Sequence, residues 1–482
     1  MLQTGILTLS QMCRVIQHLG RIKLTVVDKI EADLLVIGGG GAGLMAAGIA
    51  ASRNVDMNIV LIEQNRSEPC NTEIASNFIP AAGTRFQKAS GVKDSVKNFV
   101  DDIAAKNNGK SDMGVTSAIC SCAPEALHQL VDLFNVEIEY APELTWIGHT
   151  SRRLHAHPTR SGVPIVAQLW NHLECQANIQ ILDNTHATGL ILDNNRVVGA
   201  TAVQKNRRVE ITSSHVALTT GGFSANRKML DKFIPEMSRA PNIGSKLDNG
   251  DGIQWGISAG AASSLMSGYQ GRDCIFPDGT RVTPPVLSEG GIAINSDGRR
   301  FVNEQEDYSA LARVYRAQSG SVAFFLWDDR IQKMVENVSV MQQAMKRGGI
   351  FTSDSIEVIA NNFKLSPMRL EATVDQYNNG IKNGKDEFGR QLPILPLQSP
   401  WYSAQITGAI AHTQGGLTVD PHCRVIRPDG LPIPGLYAGG NTMAGLSGNK
   451  PEGYLSGNGL LVAYSSGFII GNRVAELCHI KC

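Results

Sequence analysis

The chain has 482 residues, 42% of them hydrophobic and 18% charged. Its 44 basic residues balance its 44 acidic ones, so there is no electrostatic footprint for nucleic acid and no basic block for a membrane surface. The length exceeds what one simple core supports, so two domains are expected, one inserted in the other.

The apolar runs at 34–37 and 59–62 are far too short to span a bilayer. Nine cysteines without zinc-ribbon spacing read as free thiols in a reducing compartment, which suits a cytoplasmic protein. Residues 1–19 are weakly apolar but interrupted by Gln11, Arg14, Gln17 and His18, so they do not read as a secretory signal. Residues 1–30 are treated as an N-terminal extension.

From residue 33 the pattern is a strand, a glycine-rich turn, an alanine-rich helix over 44–52, and a second strand over 58–62. Helices are predicted over 95–107 and 123–136, with Pro124 in the first turn of the latter. Strands follow over 178–192, 196–203 and 207–220, with a turn at Asp193-Asn194-Asn195. Residues 265–400 are richer in charge and carry helices over 354–364 and 367–383. Residues 411–482 are again glycine-rich and close with a helix over 460–478. The expected fold class is α/β. A Rossmann-type dinucleotide-binding domain is assembled from 31–264 and 405–482, with an α+β cap over 265–404 inserted between them.

Gly38, Gly40 and Gly43 form G-x-G-x-x-G between two strands. The first glycine permits the tight turn, the second admits a pyrophosphate to the backbone, and the third lets helix and strand touch. Glu63 ends the second strand, 25 residues after Gly38. There a carboxylate accepts hydrogen bonds from ribose hydroxyls and repels a 2′-phosphate, which argues against NADP. The motif alone leaves NAD and FAD open.

Further motifs follow in order. They are Asn71-Thr72, Ala81-Ala-Gly83-Thr84, Ala217 to Phe223, Asn249-Gly-Asp251-Gly252, Phe301-Val-Asn-Glu304, His412-Thr-Gln-Gly-Gly416, Gly435 to Gly440 and Ser456-Gly-Asn458-Gly459-Leu460. Over about 31–477 this series resembles the flavoprotein superfamily of fumarate reductase, succinate dehydrogenase and 3-ketosteroid dehydrogenases. The resemblance implies FAD held beneath a mobile cap, with a small-molecule substrate between them. It implies FAD contacts from Asn71, Thr72, Gly83, Thr84, Ala187, Thr220, Gly221 and Asp251. Gly439 and Asn441 would lie along the ribityl chain. Asn458, Gly459 and Leu460 would open the last helix beneath the flavin, where a helix N-terminus stabilises the negative charge of reduction. Members with covalent flavin carry a histidine where this chain has Asn71, so non-covalent FAD is expected. Asn77-Phe78 replaces the family's glycine pair, and Asn441 replaces a common glutamate.

The dicarboxylate reductases of this superfamily place arginines where this chain has Tyr308 and Tyr454, and a histidine where it has Ala411. Losing these groups speaks against fumarate or succinate. Tyr308, Tyr454 and Ser456 instead resemble the 3-ketosteroid dehydrogenases, especially the Δ4-(5α) type, which implies dehydrogenation next to a ketone. The residue types do not say which tyrosine polarises the carbonyl and which takes the proton. One alternative is a reductase of an unsaturated organic acid, with an anion site rebuilt from Arg152, Arg153, Arg160 or Lys450. A flavin-binding electron-relay protein without its own chemistry is another. The electron donor or acceptor is not legible. The pair His155 and His157 lacks a partner cluster and is not read as a metal site.

Overall fold

The computed structural model describes residues 26–143 and 146–479. Its centre is a parallel sheet of five strands. In spatial order these are Pro432–Ala438, Arg207–Leu218, Val26–Ile37, Ile59–Ile62 and Ile179–Leu182. Strands buried on both faces need continuous apolar runs. Ile59-Val-Leu-Ile62 is such a run and is wholly buried. The hairpin of Thr185–Asp193 and Arg196–Gln204 joins the sheet antiparallel to Arg207–Leu218. Asn194 and Asn195, both at positive φ (45° and 65°), make its turn.

Two helices cover the centre of the sheet, Gly41–Arg53 and the terminal Asn458–His479. They approach backbone to backbone because Gly467 and Gly471 face the first helix. A Cβ there would lie 2.4 Å from the Ala42 carbonyl oxygen and 2.7 Å from that of Ala46. Among the described residues, no helix is long and apolar enough to cross a membrane.

A second core runs from Cys274 to Ile406. Its antiparallel sheet combines Tyr269–Ile275, Ile292–Ile294, Ala323–Asp328, Phe351–Ser353 and Trp401–Thr413. Strand Trp401–Thr413 connects the two cores: Ala404 and Ile406 pack in the cap, Ile410 in the parallel-sheet domain. The Phe301-Val-Asn-Glu304 motif proves structural. Glu304 is buried, with Arg300 at 2.7 Å and Arg390 at 3.0 Å, and it accepts from the Ala293 amide. A buried carboxylate between two arginines is the arrangement that makes such burial tolerable.

Three sequence expectations need correction. The helix placed at 123–136 runs Met113–Asp132, so Pro124 lies in its interior rather than its first turn. The start is set by Asp112, whose side chain accepts from the Val115 amide at 2.9 Å, a cap that the pattern reading passed over. The strand expected over 178–192 breaks at Asp183-Asn184, where Asn184 takes φ 50°. Residues 26–30 belong to the first strand and not to an extension; residues 1–25 lie outside the described residues.

Candidate active site

A cleft runs from the glycine-rich turn to the underside of the cap. The turn has the form its glycines predict. Gly38 sits at φ +108°, and a Cβ on Gly43 would lie 2.0 Å from the Gly38 carbonyl oxygen. A Cβ on Gly40 would meet nothing within 4 Å. The open space above that glycine is the cradle a pyrophosphate fills, at the start of a helix with no side-chain cap. Glu63 is held by the Gly39 and Asn65 amides at 2.7 and 2.8 Å. Nearby, the Arg66 guanidinium stacks 3.9 Å over Trp170; both line the cleft, and neither belongs to a motif.

Of the residues expected around the cofactor, Gly38, Gly40, Glu63, Asn71, Thr72, Ala187, Thr220, Gly221, Asp251, Asn441, Gly459 and Leu460 line the cleft. The other five stand behind its wall. Gly43 is a packing contact between helix and strand. Thr84 caps the helix Arg85–Ala89 by accepting from the Gln87 amide, and bonds His155 Nε2 at 2.9 Å. Gly83 donates its amide to the Gln87 side chain. Gly439 abuts Ser466, where a Cβ would lie 2.9 Å from Oγ. Asn458 is fully buried, and neither its Nδ2 nor its Oδ1 finds a protein partner. An orphaned amide between the cleft residues Gly457 and Gly459 fits a polar cofactor edge at the helix start.

Asn71 donates to Asp248 Oδ2 at 2.7 Å and accepts from the Ser245 amide at 2.7 Å. Burial pushes the Asp248 carboxyl up to about 6, against the hydrogen bonds from Asn71 and Ser224. A carboxyl raised in the folded state binds more protons there than in the unfolded chain. Stability is therefore highest near pH 4 and falls as pH rises to about 6. The expected size is about 3 kcal/mol in the flavin-free protein. Asp248→Asn should flatten that slope in denaturant titrations between pH 4 and 7; an unchanged slope would contradict the assignment. Asn77 takes φ 55°, which explains how it replaces a glycine. It also donates to the Thr72 carbonyl and accepts from Tyr464. Asn77→Ala should cost about 1–3 kcal/mol of stability, from the left-handed backbone and the lost bonds. A thermal melt within a degree of the parent would contradict this.

At the cap end, Tyr308 Oη lies 3.0 Å from Ser456 Oγ and accepts from Gln270 Nε2 at 3.3 Å. Trp146 meets the Tyr308 ring edge-on. Burial raises the Tyr308 phenol above its ordinary range, while Arg272 and the Ser456 bond pull it back. Arg272 Cζ sits 4.4 Å over the phenol ring. On the opposite side, a Cβ on Gly459 would lie 3.0 Å from His412 Nε2 and 3.6 Å from Tyr454 Oη. Burial pushes His412 down to about 4, so its imidazole is neutral near pH 7. His412 Nδ1 lies 3.1 Å from Gln414 Nε2 and 3.4 Å from the Thr413 carbonyl, and Ser447 donates to the Gln414 oxygen. Burial likewise raises the Tyr454 phenol. The three residues expected to be catalytic, Tyr308, Tyr454 and Ser456, thus line one space with His412.

The sequence reading missed Arg272 and Arg281. Both line the cleft, and among the described residues neither is in an ion pair. Burial, with a smaller contribution from the field of Arg272, lowers the Arg281 guanidinium from its ordinary range. Arg66, the third arginine of the cleft, is paired with Glu174 and Asp183. The four basic residues weighed as a rebuilt anion site lie elsewhere. Arg153 is buried against Asp94 and Asp102, Arg160 pairs with Glu139 and Glu143, and Arg152 and Lys450 do not line the cleft.

The FAD binding domain family matches residues 33–460. The chain belongs to that family. It is an FAD-dependent oxidoreductase of the fumarate reductase flavoprotein superfamily, and therefore an enzyme. A probable fumarate reductase of Shewanella frigidimarina is 25% identical over 92% of this chain and 75% of its own length. A urocanate reductase of Eggerthella lenta is 27% identical over 85% of this chain and 69% of its own. The 3-ketosteroid Δ4-(5α)-dehydrogenase of Rhodococcus jostii, solved with 4-androstene-3,17-dione, shares the fold at TM-score 0.76 and 22% identity. That match covers 94% of this chain and 99% of the dehydrogenase. Members of the FAD binding domain family need a flavin site, and the glycine cradle, Glu63 and the orphaned Asn458 amide supply the features of one here.

Proposed function

We propose that this flavoenzyme reduces the C=C bond of an α,β-unsaturated acid carrying one carboxylate. The observation that carries this reading is that two guanidinium groups without an ion-pair partner among the described residues, Arg272 over the Tyr308 ring and Arg281, line the cleft. Two arginines without a counter-ion call for an anion, and their planar forks match a carboxylate. A neutral ketosteroid would leave both cations desolvated and unpaired. At the cap end of the cleft, Tyr308, Tyr454, Ser456, neutral His412, Trp146 and Phe78 are uncharged at neutral pH. These groups supply no cation for a second carboxylate, which favours a monocarboxylate over fumarate. Two of the relatives named above, the probable fumarate reductase and the urocanate reductase, are named for unsaturated acids, in keeping with this.

Non-covalent FAD, when bound, supplies the hydride. The chain's own groups do the rest. Arg272 and Arg281 hold the carboxylate and stabilise the negative charge that spreads onto it as the β-carbon is reduced. Tyr308 Oη delivers a proton to the α-carbon. Burial keeps this phenol protonated at neutral pH, and Arg272 over its ring lowers the cost of the tyrosinate left behind. Ser456 Oγ orients the phenol and is the next group able to pass it a proton.

A spectral titration tests the binding half of this reading. Cinnamate or acrylate added to the oxidised holoenzyme should shift the flavin band, and the corresponding methyl esters should not. Equal affinity for ester and acid would remove the basis for the proposal.

A further inference from the structure

We propose that Lys106 and Asp307 form a clasp that positions Tyr308; this rests on the reading of Tyr308 as proton donor. Asp307 immediately precedes Tyr308 and serves two partners with its two oxygens. Oδ1 accepts from the Ser309 and Ala310 amides at 2.8 and 3.3 Å, which caps the cap-domain helix Tyr308–Arg316. Oδ2 accepts from Lys106 Nζ at 2.8 Å. Lys106 belongs to the helix Val96–Asn107, whose Phe99 and Ile103 are part of the parallel-sheet core. Leu311 and Tyr315 of the Tyr308 helix belong to the cap core, while its Ala312 belongs to the parallel-sheet core. The ion pair therefore ties the helix Val96–Asn107 of the parallel-sheet core to a helix seated between the two cores, and its side chains are only 13% and 10% exposed. A pair this sheltered is held more firmly than the usual surface ion pair.

The same helix is fastened a second time, by an ion pair of Arg313 with Glu452, two residues before Tyr454. Between the two fastenings Tyr308 reaches Ser456 of the parallel-sheet domain. The Lys106 stem also lies against Gly148, where a Cβ would be 3.2 Å from its Cδ. That contact adjoins His149, whose Nε2 bonds the Ser456 carbonyl at 2.9 Å. One lysine thus braces both sides of the Tyr308–Ser456 bond. Lys106 and Asp307 touch no reacting atom and are positioning residues.

The test uses holoenzyme of Asp307→Asn, Lys106→Met and Lys106→Arg. Asparagine caps a helix as well as aspartate, so Asp307→Asn removes the charge and keeps the cap. Amide hydrogen exchange across Tyr308–Arg316 should quicken about tenfold or more in Asp307→Asn and Lys106→Met, with flavin content unchanged, and stay near the parent in Lys106→Arg. With cinnamate as probe, kcat should fall in step with the exchange change, and Lys106→Arg should restore most of it. Parental exchange in both charge-removing variants would overturn the clasp. So would a loss of turnover without faster exchange. The exchange measurement needs no substrate, so failure of every acid in the panel would defeat the proposed reaction and leave the clasp to be judged on exchange alone.

Discussion

Replacing both Arg272 and Arg281 with methionine is expected to lower kcat/KM for an unsaturated monocarboxylate by at least about a thousandfold. Truncating one partner of a desolvated, hydrogen-bonded charge pair costs about 2–5 kcal/mol, and two such contacts meet on one carboxylate. Most of the loss should be in KM, because the carboxylate is bound before and during reaction alike. Part should be in kcat, since charge spreads onto the carboxylate as the β-carbon is reduced. Methionine keeps much of the stem volume, and neither arginine is in an ion pair among the described residues, so the fold and flavin content should hold. Steady-state kinetics on a cinnamate-type acid checks this. A double variant with parental kcat/KM would remove the anion site from the account.

Tyr308→Phe should act on the other kinetic parameter. Losing a general acid typically costs 10²–10⁴-fold, and here the loss should fall on kcat with KM nearly unchanged. Phenylalanine keeps the ring beneath Arg272 and against Trp146 and removes only the hydroxyl that bonds Ser456. Reduction of the flavin by dithionite should be unaffected, because no proton to substrate is involved. Single-turnover reoxidation by an acid should slow by the same factor as kcat. If Tyr454→Phe instead gave the large loss and Tyr308→Phe a small one, the proton donor would be the phenol beside His412.

Comparing sequence and structure shows which features of the molecule are local. The turn Gly38 to Gly43 and the acid at Glu63 are consecutive along the chain, and their conformations follow from a few residues each, so their geometry was legible. The ordered family motifs identified the fold and cofactor in advance of any coordinates. Thr84, Gly439 and Asn458 were harder to assign, because a motif residue that supports a cleft wall and one that lines it look alike in sequence. Arg272 and Arg281 were invisible for a different reason. They lie in the cap, outside every motif, and a strand and the turn after it bring them to the cleft. Counting arginines missing from family positions therefore gave a neutral site where the folded chain has a cationic one.

The central claim is the class of substrate, and one anaerobic experiment addresses it directly. Dithionite-reduced holoenzyme is mixed with cinnamate, acrylate, fumarate or 4-androstene-3,17-dione, and the return of the oxidised flavin band is timed. Rapid reoxidation by a monocarboxylate, slow reoxidation by fumarate and none by the steroid is the predicted result. Rapid reoxidation by the steroid with no response to any acid would contradict it.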